Sequence, residues 1–177
     1  MRVAITGVGL VSCLGLDLDQ VSQALRQGRS GISVDPEREA LGFRSTLSGK
    51  ISGYDPRAYV NRKQIKTMGQ PAQFAVGAAV EAVRDAGLGV EQLRDPGAGV
   101  VVGNDSCTWP VIEAIDSVRA HKETRYIGSG NIIQVMNSTV TMNLATYFGI
   151  RGAAWSISAA CASGAHAIGQ AYMLLKS

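Results

Sequence analysis

The chain has 177 residues, 46% of them hydrophobic and 18% charged, with a formal net charge of +3. That length and apolar content suit one domain with a sizeable core, or part of a larger one, and exclude a disordered chain. The absence of a membrane-length apolar run excludes a spanning helix, while 6% aromatics and a longest basic cluster of only "NRKQIK" (61–66) exclude a nucleic-acid binder.

"RVAITGVGLVS" (2–12) is a β-branched run ending in glycines and predicts a buried first strand with its turn. Its "TGVG" resembles the start of a dinucleotide fingerprint. However, Ser12 stands where the third glycine should be, and no strand ending in an acidic residue follows about 20 residues later. A tight turn that lets a helix approach the sheet is the better reading. No charged-then-apolar leader precedes this run, so no export signal is expected.

A helix is predicted over 16–28, with Leu18, Val21 and Leu25 at helical spacing, Asp17 as its cap and Gly28 as its stop. Residues 29–59 read as loop with short strands near 44–51. A second helix covers 70–88, where Pro71 suits the first turn, Phe74, Ala78, Val80 and Val83 form the apolar stripe, and Gly87 ends it. "GAGVVVGND" (97–105) reads as a continuous apolar strand of a parallel sheet. Helices are then predicted over 109–121, opening at Pro110, and over 131–149, the latter apolar enough to be buried on several sides, against a second subunit. "AAWSISAA" (153–160) alternates as a strand, and 161–176 continues as a helix. The β–α–β–α–α–β–α order predicts an α/β layered fold with an unfinished sheet, the front part of a larger domain.

Cys13, Cys107 and Cys161 are odd in number, widely spaced and free of any C-x-x-C pairing, which predicts a reduced, cytoplasmic protein with no metal site. Cys161 differs from the other two. A strand ending at Ala160 and a helix starting at Ala162 place its sulfur at a helix N-terminus, where unpaired N–H groups and the helix dipole favour a thiolate and can receive an oxyanion. Ala159, Ala160, Ala162, Ser163 and Gly164 leave room for a substrate carbonyl. Cys13 and Cys107 lack this junction and read as small buried side chains.

The segment "SISAACASGAHAIG" (156–169) closely resembles the active-site segment of β-ketoacyl-acyl carrier protein synthases, condensing enzymes of the thiolase-fold family. The resemblance extends over essentially the whole chain, through "RVAITGVGLVSCLG", "LRQGRSGI", "NRKQIKTM" and "AVEAVRDAGL" in order and spacing. It implies a thiolase-like layered fold, a mixed sheet with helices on both faces, of which residues 1–177 are the N-terminal part. It also implies that Cys161 carries the growing acyl chain without a cofactor. The form of the segment is closer to the elongating, carrier-protein-dependent branch than to the initiating, CoA-primed one.

The elongating members use two histidines and a glycine-rich oxyanion loop from the second half of their chains, and no counterpart stands here. His166 lies five residues beyond Cys161, about 140° around a helix from it, and His121 sits in the polar run "RAHKETR". Alone, the chain is expected to be inactive. The resemblance places Ser106 beside the acyl pocket and Met136 where a residue reaches across a dimer, homomeric or heteromeric, into the partner's pocket. It also places Lys63, Lys66, Lys122 and Arg125 where acidic acyl carrier protein docks, a role that charge steering would serve. Two alternatives remain. A non-catalytic chain-length-factor-like subunit would typically lack the cysteine that this chain keeps. A CoA-dependent thiolase-fold acyltransferase would have a different cysteine context.

Overall fold

The fold was obtained as a computed structural model, which describes residues 2–177. The β-branched run at 2–12 does not form the expected buried strand: residues 2–11 pair with no strand among the described residues, and Ile5 is 83% exposed. The run lies across the second half of a long helix instead. A Cβ at Gly7 or Gly9 would strike the helical carbonyls of Ala82 and Ala78, and the Val8 N–H donates to Asp85 Oδ2 at 2.9 Å. An apolar β-branched run becomes a strand only where a partner offers its backbone. Here the "TGVG" glycines serve close helix approach, as expected, but the tight turn expected with it is not formed at residues 6–9.

Helix α1 (Leu18–Arg26) is capped by Asp17, whose carboxylate accepts from the Gln20 N–H at 2.8 Å, and Gly28 follows it at φ +64°. Only Val21 and Ala24 of this helix are buried, and Leu18 and Leu25 of the expected stripe are exposed. Strands β1 (Ser33–Val34) and β2 (Leu47–Ser48) form a small antiparallel hairpin around α2 (Pro36–Ala40), a one-turn helix capped by Asp35 that the loop reading of 29–59 missed. The Asx cap followed by proline at the first helical position was its signal.

A short helix α3 (Arg62–Ile65), closed by a capping box between Asn61 and Gln64, leads into α4 (Gln70–Asp85). After the one-turn helix α5 (Val90–Leu93) the chain enters β3 (Val100–Gly103), then α6 (Trp109–His121). The single helix expected over 131–149 is divided into α7 (Asn131–Gln134) and α8 (Thr139–Phe148). The turn between them has other obligations: the Asn137 carbonyl accepts from Asn104 Nδ2 at 2.8 Å, while its side chain reaches Ser158 Oγ at 3.3 Å. Gly149, at φ +69°, ends α8. Strand β4 (Ala154–Ile157) and α9 (Ser163–Lys176) complete the chain.

Strands β3 and β4 are parallel, in register from Val100 opposite Ala154 to Gly103 opposite Ile157. Among the described residues this parallel pair and the antiparallel β1–β2 hairpin are two separate two-stranded sheets, and the parallel one is the unfinished sheet that was expected. Side chains alternate along β3. Val100 and Val102 join the core of Val60, Met68, Ala72, Val76, Val140 and Leu144 between α4 and α8. Gly103 faces the other way, where a Cβ would collide with the Ser163 backbone at the start of α9. Helices α8 and α9 therefore cover opposite faces of the sheet.

Buried polar groups fix α8. The Asn143 amide donates to the Thr67 carbonyl at 3.2 Å and accepts from Thr67 Oγ1 at 3.1 Å, and the Thr141 hydroxyl meets that of Ser156 at 2.6 Å. On the outer side of α4, Tyr54 donates to the Gln73 carbonyl and stands edge-on to Phe74. Burial, reinforced by the neighbouring Tyr59, pushes its phenol from 10.0 up to about 12.

Candidate active site

Strand β4 stops at Ile157, and a 3-10 turn at Ala160–Ala162 precedes α9. Cys161 lies in that turn, one step before the helix expected to begin at Ala162, and it is exposed. Its predecessor Ala160 has φ +47°, a left-handed conformation that costs a residue with a Cβ about 1–2 kcal/mol. The cysteine thus sits just outside the carboxyl ends of two parallel strands, where open α/β sheets bind their ligands. The first turn of α9, with its orphan N–H groups, begins two residues later.

The turn is held by Ser163, which is 4% exposed. Its Oγ accepts from the Ala159 N–H at 2.8 Å and donates to the Ala160 carbonyl at 2.7 Å. The Ser163 N–H donates to that same carbonyl. A second set of bonds ties the strand ends together. Asn104, directly after β3, donates from its side chain to the Asn137 carbonyl and, at 3.4 Å, to Cys107 Sγ. Its own carbonyl accepts from Ser158 Oγ at 2.8 Å. Sequence reasoning missed Asn104, Asn137 and Ser158. The available signal was a polar residue immediately beyond each of two apolar parallel strands.

Ser106 is exposed in the loop after β3 and lines a cavity of about 860 Å³ between the β1–β2 hairpin and α6, together with Phe43, Met68, Cys107 and Trp109. Met136 lies in the turn between α7 and α8, 45% exposed, and neither it nor Cys161 lines that cavity. Cys107 is buried, as expected, and Cys13 is half-buried with its sulfur against Gly31 and Gly49. His166 is exposed on α9, and His121 stacks on Tyr126 at 4.2 Å. No group of three or more His, Cys, Asp or Glu side chains able to hold a metal occurs among the described residues.

The four candidate docking cations are all exposed. Lys63 lies in α3 and Lys66 caps it, the Lys66 carbonyl accepting from Gln134 Nε2 at 2.9 Å, so the end of α3 meets α7. Lys122 follows α6 in a left-handed conformation, and Arg125 is engaged by Glu123 at 2.9 Å and lies over the Tyr126 ring. Among the described residues Lys63, Lys66 and Lys122 form no ion pair.

The family model described as beta-ketoacyl synthase, N-terminal domain, matches residues 1–177. The chain is 36% identical over 176 residues to 3-oxoacyl-[acyl-carrier-protein] synthase 1 of Haemophilus influenzae, which covers 99% of this chain and 43% of that protein. The enzyme of the same name from Escherichia coli K12 is 35% identical over 173 residues, 96% of this chain and 42% of that one. A crystal structure of a beta-ketoacyl synthase from Burkholderia phymatum superposes with a TM-score of 0.84 at 31% identity, over 99% of this chain and 43% of its own. The chain spans less than half the length of these relatives and shares their thiolase-type fold. With the match running over all 177 residues and a cysteine presented on the turn between the second parallel strand and its helix, the chain belongs to the β-ketoacyl synthase family.

Proposed function

We propose that this chain is the nucleophile-bearing N-terminal part of a β-ketoacyl-acyl carrier protein synthase. Cys161 Sγ, as thiolate, attacks the thioester carbonyl of an acyl group on the carrier protein. A new C–S bond forms, and the carrier's thiol leaves with a proton. Decarboxylation of a malonyl thioester then releases CO₂ and leaves a carbanion. That carbanion attacks the Cys161 thioester, forms the C–C bond and returns the thiolate. The proton-handling residues of the second step are assigned to the second half of the protein, as the family resemblance implies; His121 is exposed and stacked on Tyr126, and His166 is exposed on α9.

The exposed Cys161 beyond the carboxyl ends of β3 and β4 carries this reading. Carrier-protein docking is assigned to Lys63, Lys66, Lys122 and Arg125, three of which form no ion pair among the described residues and are available to an acidic partner. Ser106 is assigned to the wall of the acyl pocket. Met136 is assigned to a contact with a second condensing-enzyme chain, supported by its exposure and by that of Ile132 four residues earlier.

The test is to incubate the full-length protein with acyl- and malonyl-loaded acyl carrier protein. Stoichiometric CO₂ and β-ketoacyl carrier protein are expected. Carbon dioxide release without condensation, or no reaction with carrier-bound donors while CoA esters react, contradicts the assignment.

A further inference from the structure

The geometry points to Ser163 as the positioning residue for Cys161: its hydroxyl clamps the left-handed turn that presents the sulfur. The inference rests on Cys161 being the acylated residue, and it concerns how that residue is held.

Ser163 is buried, yet all its polar capacity is spent within four residues. Its Oγ takes the Ala159 N–H at 2.8 Å and gives its own proton to the Ala160 carbonyl at 2.7 Å. Its backbone N–H goes to that carbonyl too. The Ser158–Ala159 peptide, through its N–H, and the Ala160–Cys161 peptide, through its carbonyl, are therefore tied to one side chain, and between them lies Ala160 at φ +47°. A residue with a Cβ leaves that region unless its surroundings over-determine it. If Ala160 relaxed, the chain would redirect at the residue before the nucleophile, and the sulfur would swing with it.

Ser163 is itself fixed from behind. Gly103, the last residue of β3, approaches its backbone so closely that a Cβ there would collide with it. The clamp is thus anchored to the sheet, while its hydroxyl acts on the turn. Ser163 need not touch substrate. Its role is to hold the near-attack direction of the thiol, so its loss belongs in the chemical step rather than in binding.

The experiment compares Ser163→Ala, Ser163→Thr and the double variant Ser163→Ala/Ala160→Gly in the full-length protein. It measures acyl transfer to Cys161 from a short acyl thioester by peptide mass spectrometry, resolved into kcat and KM. Ser163→Ala should lower kcat roughly 10–100-fold with KM nearly unchanged, as expected when a reacting group is misplaced by about 1 Å. Ser163→Thr keeps the hydroxyl and should recover most of the rate. The double variant should recover part of it, because glycine adopts positive φ without strain. Wild-type kcat in Ser163→Ala, a loss confined to KM, or a Thr variant as slow as the Ala variant at unchanged melting temperature would each overturn the clamp. Label appearing on Cys13 or Cys107 in the wild type would instead remove the nucleophile assignment. In that case the rate of Cys161 alkylation by iodoacetamide across the same variants still reads the clamp, and an unchanged rate refutes it.

Discussion

The two strand-to-helix junctions of the parallel sheet share topology and a cysteine but not consequence. Strand β3 passes through residues 104–108 into α6, and β4 passes through residues 158–162 into α9; each connection carries one cysteine. In the first, Asn104 bonds the sulfur and the loop folds Cys107 inward to 5% exposure. In the second, Ala160 turns left-handed, Ser163 locks the turn, and Cys161 stands outside. A cysteine after a parallel strand is therefore not a nucleophile by position alone. The residue before the exposed thiol, Ala160, is left-handed, whereas Ser106, before the buried one, is not.

The largest expected effect separates the two thiols. Cys161→Ser should lower condensation by about 10³-fold or more, as removal of a nucleophile does. Cys107→Ala should leave the rate near wild type and cost about 1 kcal/mol of stability, read as a small drop in melting temperature. Comparable activity losses from both would erase the distinction.

Next comes the proposed docking face, whose cations lie on α3 and after α6 rather than at the β4–α9 turn. Exposed pairs contribute only about 0–1 kcal/mol each, so single charge reversals should have little effect. Reversing Lys63, Lys66, Lys122 and Arg125 together should slow acylation from carrier protein about tenfold or more at low salt, and less at high salt. Acylation by a short uncharged thioester should persist. Equal losses with both donors would mean that these side chains support the fold.

A smaller effect is expected from Asn104→Ala, which releases the Asn137 carbonyl and the Cys107 sulfur. The loss should be about 1 kcal/mol in denaturant titration. Cys107 should then become reactive toward iodoacetamide, making the first junction resemble the second. A Cys107 that stays protected would show that packing, not Asn104, buries it.

The smallest effect serves as a control common to both junctions. Tyr54 has its phenol raised from 10.0 to about 12 in the fold, so the neutral form is the one the fold favours. Its contribution to stability is full below pH 10 and is lost as pH rises from 10 toward 12. Tyr54→Phe should flatten that alkaline limb, while variants at either cysteine should leave it unchanged.

Much of this contrast was legible in the residues. The stretch "GVVVG" and the alternation around Trp155 marked the two parallel strands, and the small residues around Cys161 marked the junction proposed to be reactive. Pro71 and Pro110 marked the starts of α4 and α6. What was not legible depends on partners distant in sequence. The run at 2–12 has strand composition but lies on α4, and the apolar period over 131–149 is helical on both sides of a turn held by Asn104 and Ser158. Periodicity describes which face is apolar and says nothing about a carbonyl committed elsewhere. The Ser163 clamp was hidden for a related reason: a serine among alanines reads as a small residue until the φ of Ala160 is known.

The junction contrast is tested most directly by mapping the acyl adduct. The full-length protein is incubated with acyl carrier protein thioester, digested at acid pH to preserve thioesters, and its cysteine peptides are weighed. The acyl mass should fall on the peptide holding Cys161, with Cys13 and Cys107 unmodified. Acylation of Cys107 or Cys13 with Cys161 free would contradict the account.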